Sequence, residues 1–84
     1  MNSEDHVFGN LGMIEFEVVR RYGKLYARYD AGSHHIQWRE DEITEAEFAE
    51  IITSESRRNE QLFRIQRRLI DSGIDAYKSN WSPQ

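Results

Sequence analysis

Eighty-four residues with a net charge of −4 are enough for one domain over 1–84, and its core is thin because so short a chain buries little surface. With no cysteine, disulfides and thiolate metal sites are excluded, and no apolar run approaches the ~20 residues a membrane-spanning helix needs. The acidic balance argues against general affinity for phosphates, though not against a local basic surface.

The polar start MNSEDH does not read as a signal peptide. Together with the missing cysteines it points to a soluble, cytoplasmic chain. Residues 1–6 are expected to be flexible, with Val7, Phe8 and Leu11 tucked onto the core.

From Met13 to Arg21 the residues alternate. Ile14, Phe16 and Val18 fall on one face, and Glu15, Glu17 and Val19 on the other, which is the pattern of a half-buried strand. Tyr22-Gly23 reads as a two-residue hairpin turn. Lys24 to Asp30 alternates again, with Leu25, Ala27 and Tyr29 on the apolar side. Asp30-Ala31-Gly32-Ser33 is a second turn signal. His34 to Arg39 makes a third strand, with Ile36 and Trp38 sharing its apolar face. The expected fold is α+β, a three-stranded antiparallel β-meander followed by one long helix, bent or broken if interrupted at all.

The helix has clear ends. Thr44 and Glu47 form a capping box, with Ile43 and Phe48 placed as a hydrophobic staple. Gly73 is the left-handed residue after the last turn, and Ile74 is placed to meet Leu69 in a Schellman motif. Thr53-Ser54-Glu55-Ser56 are weak helix formers, but the apolar stripe keeps its phase from Phe48 through Leu62 to Ile70, which favours continuity. A rod from 45 to 72 would be about 42 Å long. A seven-residue strand spans only about 23 Å, so the rod would outrun its sheet. The tail from Ile74 carries Tyr77 and Trp81 and is expected to fold back over the sheet or the helix, leaving 82–84 flexible.

Charge switches along this helix. Seven carboxylates and no Lys or Arg lie between Glu40 and Glu55, then five arginines and one Glu between Arg57 and Arg68. Two copies set antiparallel would place acidic halves against basic ones, with Glu55 and Asn59 near the axis, so a homodimer through the long helix is expected. The rival is an intramolecular hairpin broken near Thr53–Ser56.

No enzyme chemistry is signalled. His34 and His35 are adjacent and would point to opposite faces of a strand, so they cannot jointly chelate one ion. Glu15 and Glu17 would share a strand face, an arrangement more typical of solvated surface than of an acid–base pair. The sequence offers neither a Gly-rich phosphate loop nor a Ser/His/acid signature. No catalytic, cofactor-binding or metal-binding residue is assigned, and no cofactor is expected.

The expected function is therefore binding. The chain reads as a small acidic interaction protein whose partner is a protein, bound through the helix's charged faces and an aromatic: Glu47, Glu50, Glu55, Arg57, Arg58, Arg64, Arg68 and Trp38. Its sharpest form is a regulator or inhibitor of a nucleic-acid-processing complex, of the kind phages and mobile elements carry. The alternative is a DNA- or RNA-binding regulator that uses the arginine face.

Overall fold

The computed structural model describes residues 3–32 and 34–83. Strands β1 (Glu4–Asn10), β2 (Phe16–Arg21), β3 (Lys24–Asp30) and β4 (Trp38–Ile43) form one antiparallel meander in the order β1-β2-β3-β4. A single helical turn, α1 (Leu11–Ile14), separates β1 from β2, and two helices follow the sheet: α2 (Glu45–Ile51) and α3 (Glu55–Asp71). The architecture is α+β with an antiparallel sheet and a C-terminal helix, as expected, but the sheet has four strands and not three.

The added strand is β1, in a stretch expected to be loose from residue 1 to 6. Its pairing with β2 shifts register between His6 and Phe8, so the apolar alternation that marks a strand is interrupted and only Phe8 packs against the core. Gly9 has φ of 80°, and a Cβ there would collide with the Phe16 carbonyl oxygen, so this close approach of β1 to β2 requires glycine. Met1 and Asn2 lie outside the described residues.

Strand β2 starts at Phe16 and not at Met13. Asn10 caps α1 by accepting from the Gly12 and Met13 amides, and Glu15 closes the turn in the left-handed region at φ 56°. Met13 and Ile14 are consequently exposed, and Glu15 is not part of the strand that holds Glu17. The next hairpin is as read. Tyr22 and Gly23 have φ of 53° and 79°, and two left-handed residues in a row give the turn whose twist matches the flanking strands.

The third expected strand is displaced and turned over. His34, His35 and Ile36 lie outside any strand, and Ser33 of the preceding turn signal lies outside the described residues. In β4 the pairs Tyr29–Arg39, Ala27–Asp41 and Leu25–Ile43 share the core face, while Trp38 pairs with Asp30 on the opposite side. A one-residue change of phase reverses every side chain of a strand. Here the reversal buries Arg39 and Asp41, which satisfy each other, and leaves Trp38 half-buried.

The capping box is present at Thr44 and Glu47, yet α2 ends after two turns. Thr53 donates its hydroxyl back to the Ala49 carbonyl at 2.8 Å, and Ser54 leaves helical geometry at φ −166°. Ser54 then caps α3, accepting from the Arg57 amide at 3.1 Å. The expectation of one unbroken rod is therefore corrected. The largest extent of the molecule is 32 Å, shorter than that rod would be. Ile51 from α2 and Ile65 from α3 are both fully buried among Phe16, Val18, Leu25, Ala27 and Tyr29, so a stripe in constant phase closes over one sheet by folding back. At the far end the Schellman motif is complete: Ile74 N donates to Leu69 O and Gly73 N to Ile70 O, each at 2.9 Å.

The tail runs from the inner side of the sheet around the β4 edge. Arg39 Nη1 donates to the carbonyls of Asp75 and Lys78, Ala76 is buried, and Asn80 brackets Glu40 with its side-chain amide. Trp81 then lies over Arg28 on the outer face of the sheet, 4.4 Å from guanidinium carbon to ring centre. Beyond it Ser82 and Pro83 are exposed, and Gln84 lies outside the described residues.

Candidate functional site

Two surfaces carry most of the charge. On the outer face of the sheet, Arg28 of β3 donates to Glu4 of β1 at 2.6 Å, Glu17 of β2 at 3.0 Å and Glu40 of β4 at 2.8 Å. Arg21 adds bonds of 2.7 Å to Glu40 and 3.0 Å to Glu4, and its guanidinium stacks over Tyr26 at 4.2 Å. A hollow of about 490 Å³ opens beside this lattice, lined by Arg28, Glu17, Trp81 and Pro83 among others.

The lattice sets the protonation of its members. Burial works against a charged Glu40, but the hydrogen bonds from Arg21 and Arg28 outweigh it and hold the carboxyl below its ordinary value. Burial likewise opposes the charge of Arg28, and its bonds to Glu4, Glu40 and Glu17 prevail, so it is more firmly protonated than a free arginine. With these donors and acceptors already committed to one another, the face works as a clamp across four strands.

The second surface is the helical pair, which holds most of the residues expected to bind a partner. Glu50 pairs with Arg57 at 3.1 Å across the α2–α3 break. Glu47 takes Arg68 at 2.8 Å, and Arg68 also donates to the Glu42 carbonyl. Acidic α2 thus neutralises basic α3 within one chain, which is the arrangement of the hairpin rival. The continuous rod that motivated pairing of two copies is not there. Arg64 pairs with Glu60 and Arg67 with Asp71 along the exposed side of α3. Exposed pairs of this sort are worth about 0–1 kcal/mol each.

Arg58 differs from its neighbours. Among the described residues it has no carboxylate at salt-bridge distance, and its guanidinium lies over the rings of Phe8 and Phe16 at 5.4 and 5.8 Å. Glu55, in the first turn of α3, is exposed and also unpaired among the described residues. The two line one groove with Asp30 and Glu15. Trp38 is far from this group in role: its carbonyl accepts from Asn80 N and Ser79 Oγ, binding the tail to β4. Its ring is half-buried on the outer side, so Trp38 belongs to the tail's anchorage more than to the helix surface.

One feature escaped the sequence reading. Phe63 is 70% exposed, and with Ile70, Tyr77, Gln66 and Arg67 it lines a shallow depression of about 60 Å³ on the flank of α3 turned from the core. Ile74, just past the helix end, is exposed as well. The signal was present as Phe63 and Ile70, seven apart on α3, but a search for the core stripe passes over it, because Leu62 and Leu69 occupy that stripe one residue earlier; Tyr77 joins them only through the fold of the tail.

Compared with protein-family models, with curated proteins and with solved structures, the chain finds no match. Its functional reading rests on its own residues. No helix among the described residues is long and apolar enough to cross a membrane. Among the same residues no group of His, Asp and Glu is placed to hold a metal ion, and His34 and His35 sit in an exposed bend.

Proposed function

We propose that this chain is a small, non-enzymatic interaction protein that binds another protein through the exposed flank of α3. The supporting observation is the solvent-exposed row Phe63, Ile70 and Tyr77. Fully burying a side chain such as Phe or Ile is worth about 1.5–3 kcal/mol, so a row of them left in water is a reserve for association. Aromatic anchors of this kind dominate the energy of many interfaces. The ion pairs Arg67–Asp71 and Arg64–Glu60 rim the flank, and the complementary partner is a protein groove that is apolar at its floor and polar at its edge.

Regulation of a nucleic-acid-processing complex remains the sharpest form of this reading. Direct binding of nucleic acid is the weaker one, because Arg57, Arg64, Arg67 and Arg68 already spend their charge on carboxylates of the same chain. The test is capture of a partner from native host extract by immobilised wild type, Phe63→Asp, Ile70→Asp and the control Tyr22→Asp on the exposed hairpin. Loss of the captured protein on both α3 variants, with retention on the Tyr22 variant, is the expected result. Equal capture by all four proteins overturns the assignment. Retention on heparin that disappears in an Arg57/Arg64/Arg68→Ala variant would move the function to nucleic acid.

A further inference from the structure

A groove of about 470 Å³ lies where the α1 turn and the edge of the sheet meet the first half of α3, within the size range of small-molecule sites. Ile14, Phe16 and Leu62 supply apolar lining. Arg58 stands in it without a carboxylate partner, its guanidinium resting on Phe8 and Phe16. Every other arginine of α3 is engaged in an ion pair of 2.8–3.5 Å. A guanidinium fixed by aromatic rings keeps its fork of N–H donors for a planar anion, and a carboxylate fits that fork with two parallel bonds.

The other charges select among anions. Glu15, Asp30 and Glu55 line the same groove, so its net charge is negative despite Arg58. A phosphate dianion is repelled there, whereas a single carboxylate accompanied by an ammonium group satisfies both signs. In an α-amino acid both groups stand on one carbon, and the smaller apolar part of the lining is left for its hydrocarbon side chain. We propose that this groove binds an apolar α-amino acid zwitterion, its carboxylate on Arg58, its ammonium among Glu15, Asp30 and Glu55, and its side chain against Ile14, Phe16 and Leu62. The assignment goes beyond the protein-binding reading and uses none of the residues on which that reading depends.

Titration of the full chain with L-leucine, followed by amide chemical shifts, tests it. Saturable shifts at Glu55–Leu62 and Ile14–Phe16 are expected. Leucinamide, which lacks the carboxylate, and N-acetyl-leucine, which lacks the ammonium, should each bind at least tenfold more weakly. Arg58→Lys keeps the charge but loses the fork and should weaken leucine by a similar factor; Arg58→Ala should remove binding. If Arg58→Ala fails to fold, the leucine–leucinamide ratio on wild type decides alone. N-acetyl-lysyl-leucine carries a terminal carboxylate and a side-chain ammonium, as a lysine-bearing chain terminus does: tighter binding than leucine overturns the free amino acid in favour of such a terminus, and weaker binding supports it. Absence of shifts at 20 mM leucine, or equal affinity for leucine and leucinamide, overturns the proposal.

Discussion

Arg39 and Asp41 stand two residues apart on the core face of β4 and hold each other by two hydrogen bonds, Nε to Oδ2 at 3.0 Å and Nη2 to Oδ1 at 2.8 Å. Tyr29 donates its hydroxyl to the same Oδ2 at 2.5 Å, and the remaining Arg39 nitrogen reaches the tail carbonyls of Asp75 and Lys78. Both charges are nearly sealed from water, with Arg39 4% and Asp41 8% exposed. The pair therefore joins three parts of the chain, β3, β4 and the tail.

Breaking such a pair from one side should cost more than deleting it. Asp41→Leu alone leaves a buried guanidinium without its counter-charge, which typically costs about 3–5 kcal/mol. Arg39→Met with Asp41→Leu removes both charges and should cost less than the sum of the single changes, the remainder being the lost bonds to the tail and the Tyr29 hydroxyl left without its acceptor. Urea midpoints for the two single variants and the double variant check this. Additive losses would show that the two side chains contribute independently.

The same pair explains where a sequence reading goes astray. Tyr22-Gly23, Thr44 with Glu47, and Gly73 with Ile74 were legible because each is a local motif whose chemistry lies within a few residues. Strand β4 was not, because polar residues ordinarily mark the solvent side of a strand, and Arg39 and Asp41 face inward together. Strand β1 was hidden by its register shift, and by drawing its place from pairing with β2 and from Glu4's bonds to Arg21 and Arg28. Of the candidate site, the arginines and Glu55 were visible as charge. That Arg58 alone stays unpaired among those of α3, and that Phe63 faces water, depend on how α2 folds back over α3, and no local pattern encodes that.

Acid should unfold the protein partly through Glu40. Its folded carboxyl titrates below the ordinary value because bonds from Arg21 and Arg28 overcome the cost of burial. A depressed carboxyl contributes its full stability above the unfolded value of about 4.3, and loses that contribution as pH falls through the folded value. Stability should decline on acidification below that range, and Glu40→Gln should flatten the decline while lowering stability at neutral pH. A pH series of thermal midpoints for both proteins reads this. An unchanged acid limb in the variant would place the acid sensitivity elsewhere.

Alkali should act through Tyr29. Burial, and then its bond to Asp41, push the phenol well above its ordinary value. The raised group gives its full stability below the unfolded value of about 10 and loses it as pH rises toward the folded one, since the unfolded chain releases the proton first. Tyr29→Phe should abolish that alkaline slope. Phenolate absorbance near 295 nm should also show one tyrosine fewer titrating late. A slope retained in the variant would assign it to another group.

Thr53 and Ser54 compete with the helix backbone at the break, but burial of the stripe enforces it, so it should survive removal of both side chains. Ser54→Ala takes away the cap of α3 and should cost about 1 kcal/mol, the usual loss for such a cap. It should not fuse α2 with α3, because Ile51 and Ile65 are both fully buried and a straight helix would expose part of that stripe. Carbon chemical shifts of residues 52–54 should stay non-helical in Ser54→Ala and in Thr53→Ala/Ser54→Ala. Helical shifts through this segment would mean that local propensity, more than burial, bends the chain.

The tail guards an edge of the sheet. Asn80 Oδ1 accepts from Glu40 N at 2.8 Å, its Nδ2 donates to Glu40 O at 3.0 Å, and its backbone N donates to Trp38 O at 3.2 Å. Arg68 covers the next outward carbonyl, that of Glu42, at 3.3 Å. An edge strand with free N–H and C=O groups invites pairing with another chain, and here Trp38 O, Glu40 N and O and Glu42 O are taken by side chains and one tail amide, which do not present a further strand. Asn80→Ala should therefore speed hydrogen exchange at the Glu40 amide while leaving that of Ala27 in central β3 unchanged. Deleting residues 79–84, which keeps the Arg39 bonds to Asp75 and Lys78, should expose a longer stretch of edge and produce concentration-dependent association in light scattering. A deletion variant that scatters as wild type across a hundredfold range of concentration would show that the acidic side chains of Glu40 and Glu42 protect β4 without the tail.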